Sequence, residues 1–440
     1  MIVTVHRGTR EIGGNCIEVA SPSTRLILDV GLPLVNDRQE PFDSFKALRS
    51  TREQLIANGT IKPVPGLFTD DAPAPDAILL SHAHLDHVGL LHHSRAEIPI
   101  HATTGTSKMM LAGGIFANRP SLDRNRHRAI KPGISFTVGD FTITPFAVDH
   151  STFGCLAFLL EAGGKTLLYS GDLRRHGRKP GMMRTLIEQI APRNVDLLLM
   201  EGTHLGGEKE LGTTEFELEE RVVELVKSAP GLVLAAFSPQ DVDRLVTLYR
   251  SAQRTGRTFV ADAYAAFILH LVSAEANIPR PTRDNGIRVY FNASFRRKNI
   301  DRLNQLFASD RIERDEVLTD PGKHLMAFRP SMTALDFNGQ LPQQVRVLYG
   351  YWKGYLKNPD WVELQRQVAE AGGDFIPAHA SGHIYTSDLR ELVTALNPKT
   401  IIPIHTFEPA MFGELFPNVQ VLRDGEPFAV KSTGPRVSIG

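Results

Sequence analysis

The sequence predicts an α/β protein in which a strand-rich domain is interrupted by a second domain built on a parallel sheet. Three observations carry this reading. Short apolar β-runs punctuated by Gly, Pro and Ser fill residues 1–205. Across residues 206–373 helical stretches alternate with single apolar strands, the pattern of βαβ units. From residue 374 the strand-and-loop style returns, so residues 374–440 are expected to rejoin the first domain.

The strands of the first part are "IVTVHRG", "NCIEVA", "TRLILDVG", "DAILLSH", "ISFTV", "FTITPFAVDH", "LAFLLEA", "KTLLYSGD" and "VDLLLMEG". Polar residues collect at their C-terminal ends, where a rigid scaffold hands ligands to loops. In the insert, "EFELEERVVELVKSA" precedes "LVLAAFS" and "PQDVDRLVTLYRSAQRTG" precedes "TFVADA", with "VRVLYGYW" and "PDWVELQRQVAEAG" later. A Gly-rich phosphate fingerprint after the first of these strands would mark a dinucleotide domain, and none is present. The return carries "DFIPAHASGH", a helix "TSDLRELVTALN" and "TIIPIHTFE".

Bulk properties exclude several classes. With 42% hydrophobic and 22% charged residues the chain is of ordinary soluble composition. Lys plus Arg and Asp plus Glu both number 49, so no global basic field points to nucleic acid. The basic runs Arg124–Arg128, Leu173–Lys179 and Phe295–Asn299 read, one by one, as solvated faces. Two cysteines, Cys16 and Cys155, cannot build a disulfide framework and read as buried thiols of a reducing compartment. No run of about 18 apolar residues suggests a membrane span. The N-terminal stretch lacks a signal-peptide pattern, so a cytoplasmic location is expected.

One stretch carries chemistry. "SHAHLDH" places His82, His84, Asp86 and His87 in six residues straight after an apolar run. His82 and His84 project to the same side of an extended segment, and Asp86 and His87 follow where the chain turns. This oxygen-and-nitrogen set suits one or two divalent ions of the Zn or Mn type. Further ligands are needed, and strand ends offer them in His150, Asp172 and His405. His92 and His93 lie beyond the motif and read as surface or supporting residues.

H-x-H-x-D-H followed by a strand-end His, a strand-end Asp and a final His resembles the metallo-β-lactamase superfamily. "LILDVG" is similar to its first motif, in which Asp29 would support the ligand loops from behind. The resemblance implies an αββα sandwich with two divalent ions, Zn foremost and Mn the alternative. His82, His84 and His150 would hold one ion, Asp86, His87 and His405 the other, and Asp172 would bridge them. Glu201 at the end of "LLLMEG", His383 in "HASGH" and His405 further resemble the β-CASP branch, which processes nucleic acids, with the wording closest to the ribonuclease J type. "EIGGN" at Glu11–Asn15 shares that likeness.

The resemblance implies a β-CASP-like parallel α/β insert and a nuclease acting on phosphodiester bonds of single-stranded RNA, the histidine at position 405 favouring RNA over DNA. Asp86, Glu201 and His383 would act in catalysis, with His383 as general acid held by Glu201. His379 and Ser381 would contact substrate. A homodimer is compatible with this likeness. A DNA nuclease or a small-molecule hydrolase on the same scaffold is the rival reading. "LMAFRPSMTALD", Leu325–Asp336, stands where a Gly- and Gln-containing loop for a terminal phosphate is expected, so the mode of cleavage is left open. With a short stretch after His405, the separate C-terminal domain common in ribonuclease J is not expected in this sequence.

Overall fold

The structure is a computed structural model and describes residues 1–36, 40–207, 212–298 and 300–431, without the side chains of 297 and 298. Asn299 and those two side chains belong to the basic run Phe295–Asn299, which therefore lies largely outside the described residues. The chain divides into two compact units, one of residues 1–175, 179–211 and 382–440, the other of residues 176–178 and 212–381.

The first unit holds two mixed sheets. In the first, Ile2–Arg7, Cys16–Ala20 and Arg25–Leu28 run antiparallel, and Ala77–Leu79, Ile100–Ala102 and His127–Ala129 continue parallel. Ile2–Arg7 shows why the sequence makes strands here: Val3, Val5 and Arg7 are covered while their neighbours face outward, the period-2 alternation of a pleated strand. The second sheet orders Thr400–Ile404, Leu197–Glu201, Lys165–Tyr169, Leu156–Ala162, Phe141–Ala147 and Phe136–Val138. Leu197–Glu201 lies between two parallel neighbours and every residue is buried, as its unbroken "LLLM" run requires.

Val3, Val5, Ile17, Val19, Leu26 and Leu28 from the first sheet share one core with Phe141, Leu156, Phe158, Leu167, Leu197 and Ile402 from the second. The sheets thus pack face to face. On the far side of the second sheet, Leu159, Leu168, Leu198 and Met200 pack against helices Gly181–Ile190 and Thr386–Leu396.

Direction within the second sheet decides where chemistry can gather. Phe141–Ala147, Lys165–Tyr169, Leu197–Glu201 and Thr400–Ile404 all point the same way, so their C-terminal ends share one edge. His150, Asp172, Glu201 and His405 follow or end those strands. In the first sheet, Arg25–Leu28 and Ala77–Leu79 are parallel, which brings Asp29 beside Ser81 and His82.

The second unit is one sheet of parallel pairs, ordered Arg311–Ile312, Ile287–Tyr290, Thr258–Asp262, His324–Ala327, Val233–Ala236, Arg346–Tyr349 and Asp374–Pro377. Asp374–Pro377, expected in the return segment, is instead the edge strand beside Arg346–Tyr349, so the chain stays in this unit until Ser381. The run Leu173–Lys179 also departs from a solvated face. Arg174 is fully buried on Asp149 and Arg178 pairs with Glu219, while Arg175 reaches Glu391 and Asp388. Both cysteines are buried thiols. Among the described residues no helix is long and apolar enough to cross a membrane.

Candidate metal centre

The loop after Ala77–Leu79 is held in place before any ligand is considered. Asp29 accepts from the Ser81 amide at 2.7 Å, Ser81 Oγ at 2.6 Å, Tyr169 Oη at 2.6 Å and His87 Nδ1 at 2.7 Å. It adopts a left-handed backbone with φ of 57°. His405 does the same with φ of 52°. Such strain in non-glycine residues is retained where surrounding bonds over-determine it. Gly31 lets the chain pass the Asp86 loop, since a Cβ there would lie 1.7 Å from the Asp86 carbonyl oxygen. "EIGGN" joins the same brace through the Asn15 amide, which donates to that carbonyl at 3.1 Å.

The edge gathers seven donor groups into two neighbouring sets. His82, His84 and His150 form one, and Asp86, His87, Asp172 and His405 the other. His84 Nδ1 lies 3.2 Å from His82 Nε2 and 3.1 Å from His150 Nε2. In the second set, His405 Nε2 is 3.2 Å from Asp86 Oδ2, and His87 Nε2 is 3.1 Å from Asp172 Oδ2. Asp172 Oδ2 also lies 3.7 Å from His82 Nε2, 3.7 Å from His405 Nε2 and 3.9 Å from His150 Nε2. It therefore sits between the sets.

Protonation agrees with this grouping. Burial and the neighbouring imidazoles hold His82 and His150 well below the ordinary histidine range, and burial brings His84 down to about 4. Three neutral imidazoles then aim ring nitrogens at one another. Burial opposes charge on Asp172 as well, but His405, His87 and His383 outweigh it and keep the carboxyl well below its usual range. Burial likewise opposes charge on His87, and Asp172, Asp29 and Asp86 carry it well above.

Do these residues fit divalent ions? Two observations say that they do. Asp172 Oδ1 is buried without a hydrogen-bond partner, a cost that a cation would remove. Four of the histidines also use the outer ring nitrogen on an oxygen: His82 Nδ1 on Ser81 Oγ at 3.0 Å, His87 on Asp29, His150 on the Gly382 carbonyl at 2.5 Å, and His405 on Thr203 Oγ1 at 2.8 Å. On the neutral rings of His82 and His150 those bonds place the proton outward and leave the inner nitrogen a lone pair, the usual arrangement of metal-binding histidine, while on His87 an entering cation would displace the inner proton. Gly382 permits the third of them, because a Cβ would come within 2.9 Å of the His150 ring.

A third overlapping group, Asp172, Glu201, His383 and His405, completes the edge. His383 Nδ1 is 3.1 Å from Glu201 Oε2 and 3.8 Å from Asp172 Oδ2. Burial lowers the His383 pKa, yet Glu201 and Asp172 reverse that and raise it to about 9. Glu201 is fixed in turn by the Leu173 amide at 2.9 Å and Thr203 Oγ1 at 2.8 Å.

A beta-lactamase superfamily domain model matches residues 42–235. Ribonuclease J of Mycolicibacterium smegmatis is 24% identical over 432 residues, spanning 92% of this chain and 68% of its own. Residues 42–235 thus form a domain of the beta-lactamase superfamily type. An RNase J-like protein of Methanocaldococcus jannaschii is 23% identical over 278 residues, 58% of this chain and 56% of its own. A solved structure of a protein of unknown function from Enterococcus faecalis shares the fold with a TM-score of 0.77 at 21% identity, covering 97% of this chain and 99% of that one. The metallo-β-lactamase fold implies divalent metal ions, and the clusters above are compatible with them.

The fold brings His82, His84, Asp86, His87, His150, Asp172 and His405 together with Glu201 and His383. His379 and Ser381 belong to the second unit. There His379 Nδ1 donates to the Gly350 carbonyl at 3.0 Å, and the Ser381 carbonyl accepts from His176 at 2.8 Å. His92 is exposed, and its ring meets that of His93 at a tilt of 42° with centroids 3.9 Å apart.

Sequence reasoning missed Tyr169 and Thr203. The signal for Thr203 was its place two residues beyond Glu201, at the same strand end. A hydroxyl has one proton. If Thr203 gives it to Glu201, it accepts from His405 Nδ1 and fixes that ring. Thr203→Val is therefore expected to weaken divalent-ion affinity by about 10- to 100-fold, with Thr203→Ser restoring it. Cobalt titration followed by visible absorbance reads this directly, and unchanged affinity in the valine variant would rule the role out.

Proposed function

We propose that the protein is a divalent-metal-dependent ribonuclease of the β-CASP kind, hydrolysing phosphodiester bonds of single-stranded RNA. The Glu201–His383 pair beside a seven-donor cluster carries this reading, since activating water and protonating a leaving alkoxide are separate needs. Curated relatives named ribonuclease J support RNA as the polymer. A single small hydrolytic substrate would give no reason for the second unit.

His82, His84 and His150 would hold one ion and Asp86, His87 and His405 the other, with Asp172 between them. Two such ions, zinc or manganese, supply acidified water near neutral pH and offset the charge of a phosphoryl group. His383 would act as the acid, its Nδ1 proton directed at Glu201, which leaves the Nε2 proton for the departing ribose oxygen. Glu201 is a positioning residue that keeps the imidazolium charged and oriented. His379 and Ser381 are proposed to contact substrate phosphate. The interrupting domain is proposed to hold the RNA strand.

The test is cleavage of end-labelled single-stranded RNA and matched DNA by protein loaded with zinc or manganese. RNA should be cut, Asp86→Ala should be inactive, and His383→Ala should be slower by about 10²–10⁴-fold, the range of a positioned acid. On bis(p-nitrophenyl) phosphate, whose leaving group needs no proton, His383→Ala should recover most of its rate while Asp86→Ala should not. If neither polymer is cut, or both variants cut RNA like the parent, the reading fails.

A further inference from the structure

In the second unit the strand Arg346–Tyr349 leads into "GYWKGYLKNP", Gly350–Pro359, before helix Pro359–Glu370. Its aromatic residues divide by direction. Tyr349 is fully buried, with Trp361 and Phe375 at 4.9 and 5.5 Å, and Tyr351 Oη donates to the Phe237 carbonyl at 2.6 Å. Trp352 and Tyr355 instead face solvent, 63% and 39% exposed. Their rings meet edge to face with centroids 5.5 Å apart.

Two adjacent exposed rings run against the apolar driving force of folding. They are also held rather than loose. The Trp352 ring lies over Gly354, where a Cβ would come within 2.0 Å of Cζ3, so a larger residue there would displace the ring from this position. The Trp352 carbonyl is pinned by Tyr349 Oη at 2.9 Å. A ring fixed in advance loses little entropy when a ligand stacks on it.

Within Gly350–Pro359 the charge is of one sign, with Asp360 the next residue along the chain. Lys353 and Lys357 are exposed in the same turn, and no acid occurs from Arg346 to Pro359. Rings alternating with lysines suit a polyanion that carries flat faces. They suit an apolar protein partner less, because charge interrupts the patch. We propose that Trp352 and Tyr355, flanked by Lys353 and Lys357, form a stacking platform for the bases of single-stranded RNA. This surface rests on the ribonuclease reading and names how that enzyme would grip its substrate.

The chain has two tryptophans, so a Trp361→Phe background makes emission a report on Trp352 alone. In the full chain with EDTA, a labelled oligouridylate should quench that emission as it binds. Trp352→Ala should weaken binding, measured by anisotropy, by roughly 5- to 100-fold. Trp352→Phe should keep most of the affinity, which separates stacking from misfolding. Unchanged emission at saturating RNA, or parent-like affinity in Trp352→Ala, overturns the proposal. So does quenching by anionic lipid vesicles, or by self-association on raising protein concentration, without quenching by RNA. If the parent cuts RNA yet Trp352 is silent, the platform falls and the ribonuclease reading stands; if it neither binds nor cuts RNA, both fall.

Discussion

Asp172→Ala is expected to lose metal and activity together. RNA cleavage should fall by about 10³-fold, roughly 4 kcal/mol at 1.36 kcal/mol per decade. Metal retained after dialysis should fall below two ions per chain. The size follows from position. Asp172 Oδ2 lies within 3.1 to 3.9 Å of ring nitrogens on His87, His82, His405, His383 and His150. That reach takes in rings of both sets, His82 and His150 of one and His87 and His405 of the other. Its Oδ1 is the buried atom left without a partner. The damage should reach further than a lost ligand, because Asp172 also helps hold His383 protonated. A variant that keeps two ions and cuts at more than a tenth of the parent rate would remove Asp172 from the shared position.

Arg244→Met is expected to destabilise the second unit by about 3–5 kcal/mol, the cost of stranding one partner of a buried ion pair. Arg244 and Glu215 are 1% and 0% exposed and lie 3.0 Å apart. Arg244 also donates to the carbonyls of Gly350, Ala378 and Ala380 at 3.2, 3.1 and 3.2 Å. Those carbonyls flank His379 and Ser381, so the same guanidinium shapes the loop that carries both. Thr247 Oγ1 supports the other carboxylate oxygen of Glu215 at 2.9 Å. Calorimetry should show the transition of this unit lowered by roughly 6–20 °C. Adding Glu215→Gln should return part of the loss, since the Glu215 charge is then no longer stranded. A loss under about 1 kcal/mol in the single variant would contradict this reading of the pair.

The candidate donors could be picked out because the H-x-H-x-D-H stretch, His150, Asp172 and His405 each follow an apolar β-run. A strand that buries both faces has little place for His150, Asp172 or His405 except at its end, and parallel pairing then carries those ends to one edge. Glu201 was legible for the same reason, as the carboxylate that stops "LLLM". Thr203 and Tyr169 were not, because their roles depend on neighbours far off in the chain. Tyr169 Oη meets Asp29 across 140 positions, and Thr203 meets His405 across 202. The same limit hid the basic run after Asp172. Its acids, Asp149, Glu219 and Glu391, come from separate elements that only the fold assembles. The edge strand Asp374–Pro377 was misplaced because four residues carry too little pattern to tell one sheet from another.

Metal-stripped protein titrated with zinc or manganese, with cleavage of end-labelled single-stranded RNA followed at each addition, addresses the proposed chemistry most directly. Activity should be absent in chelator and should rise to a plateau as a second ion per chain is taken up. Undiminished cleavage in chelator, or no cleavage with two ions bound, would contradict a dimetal ribonuclease.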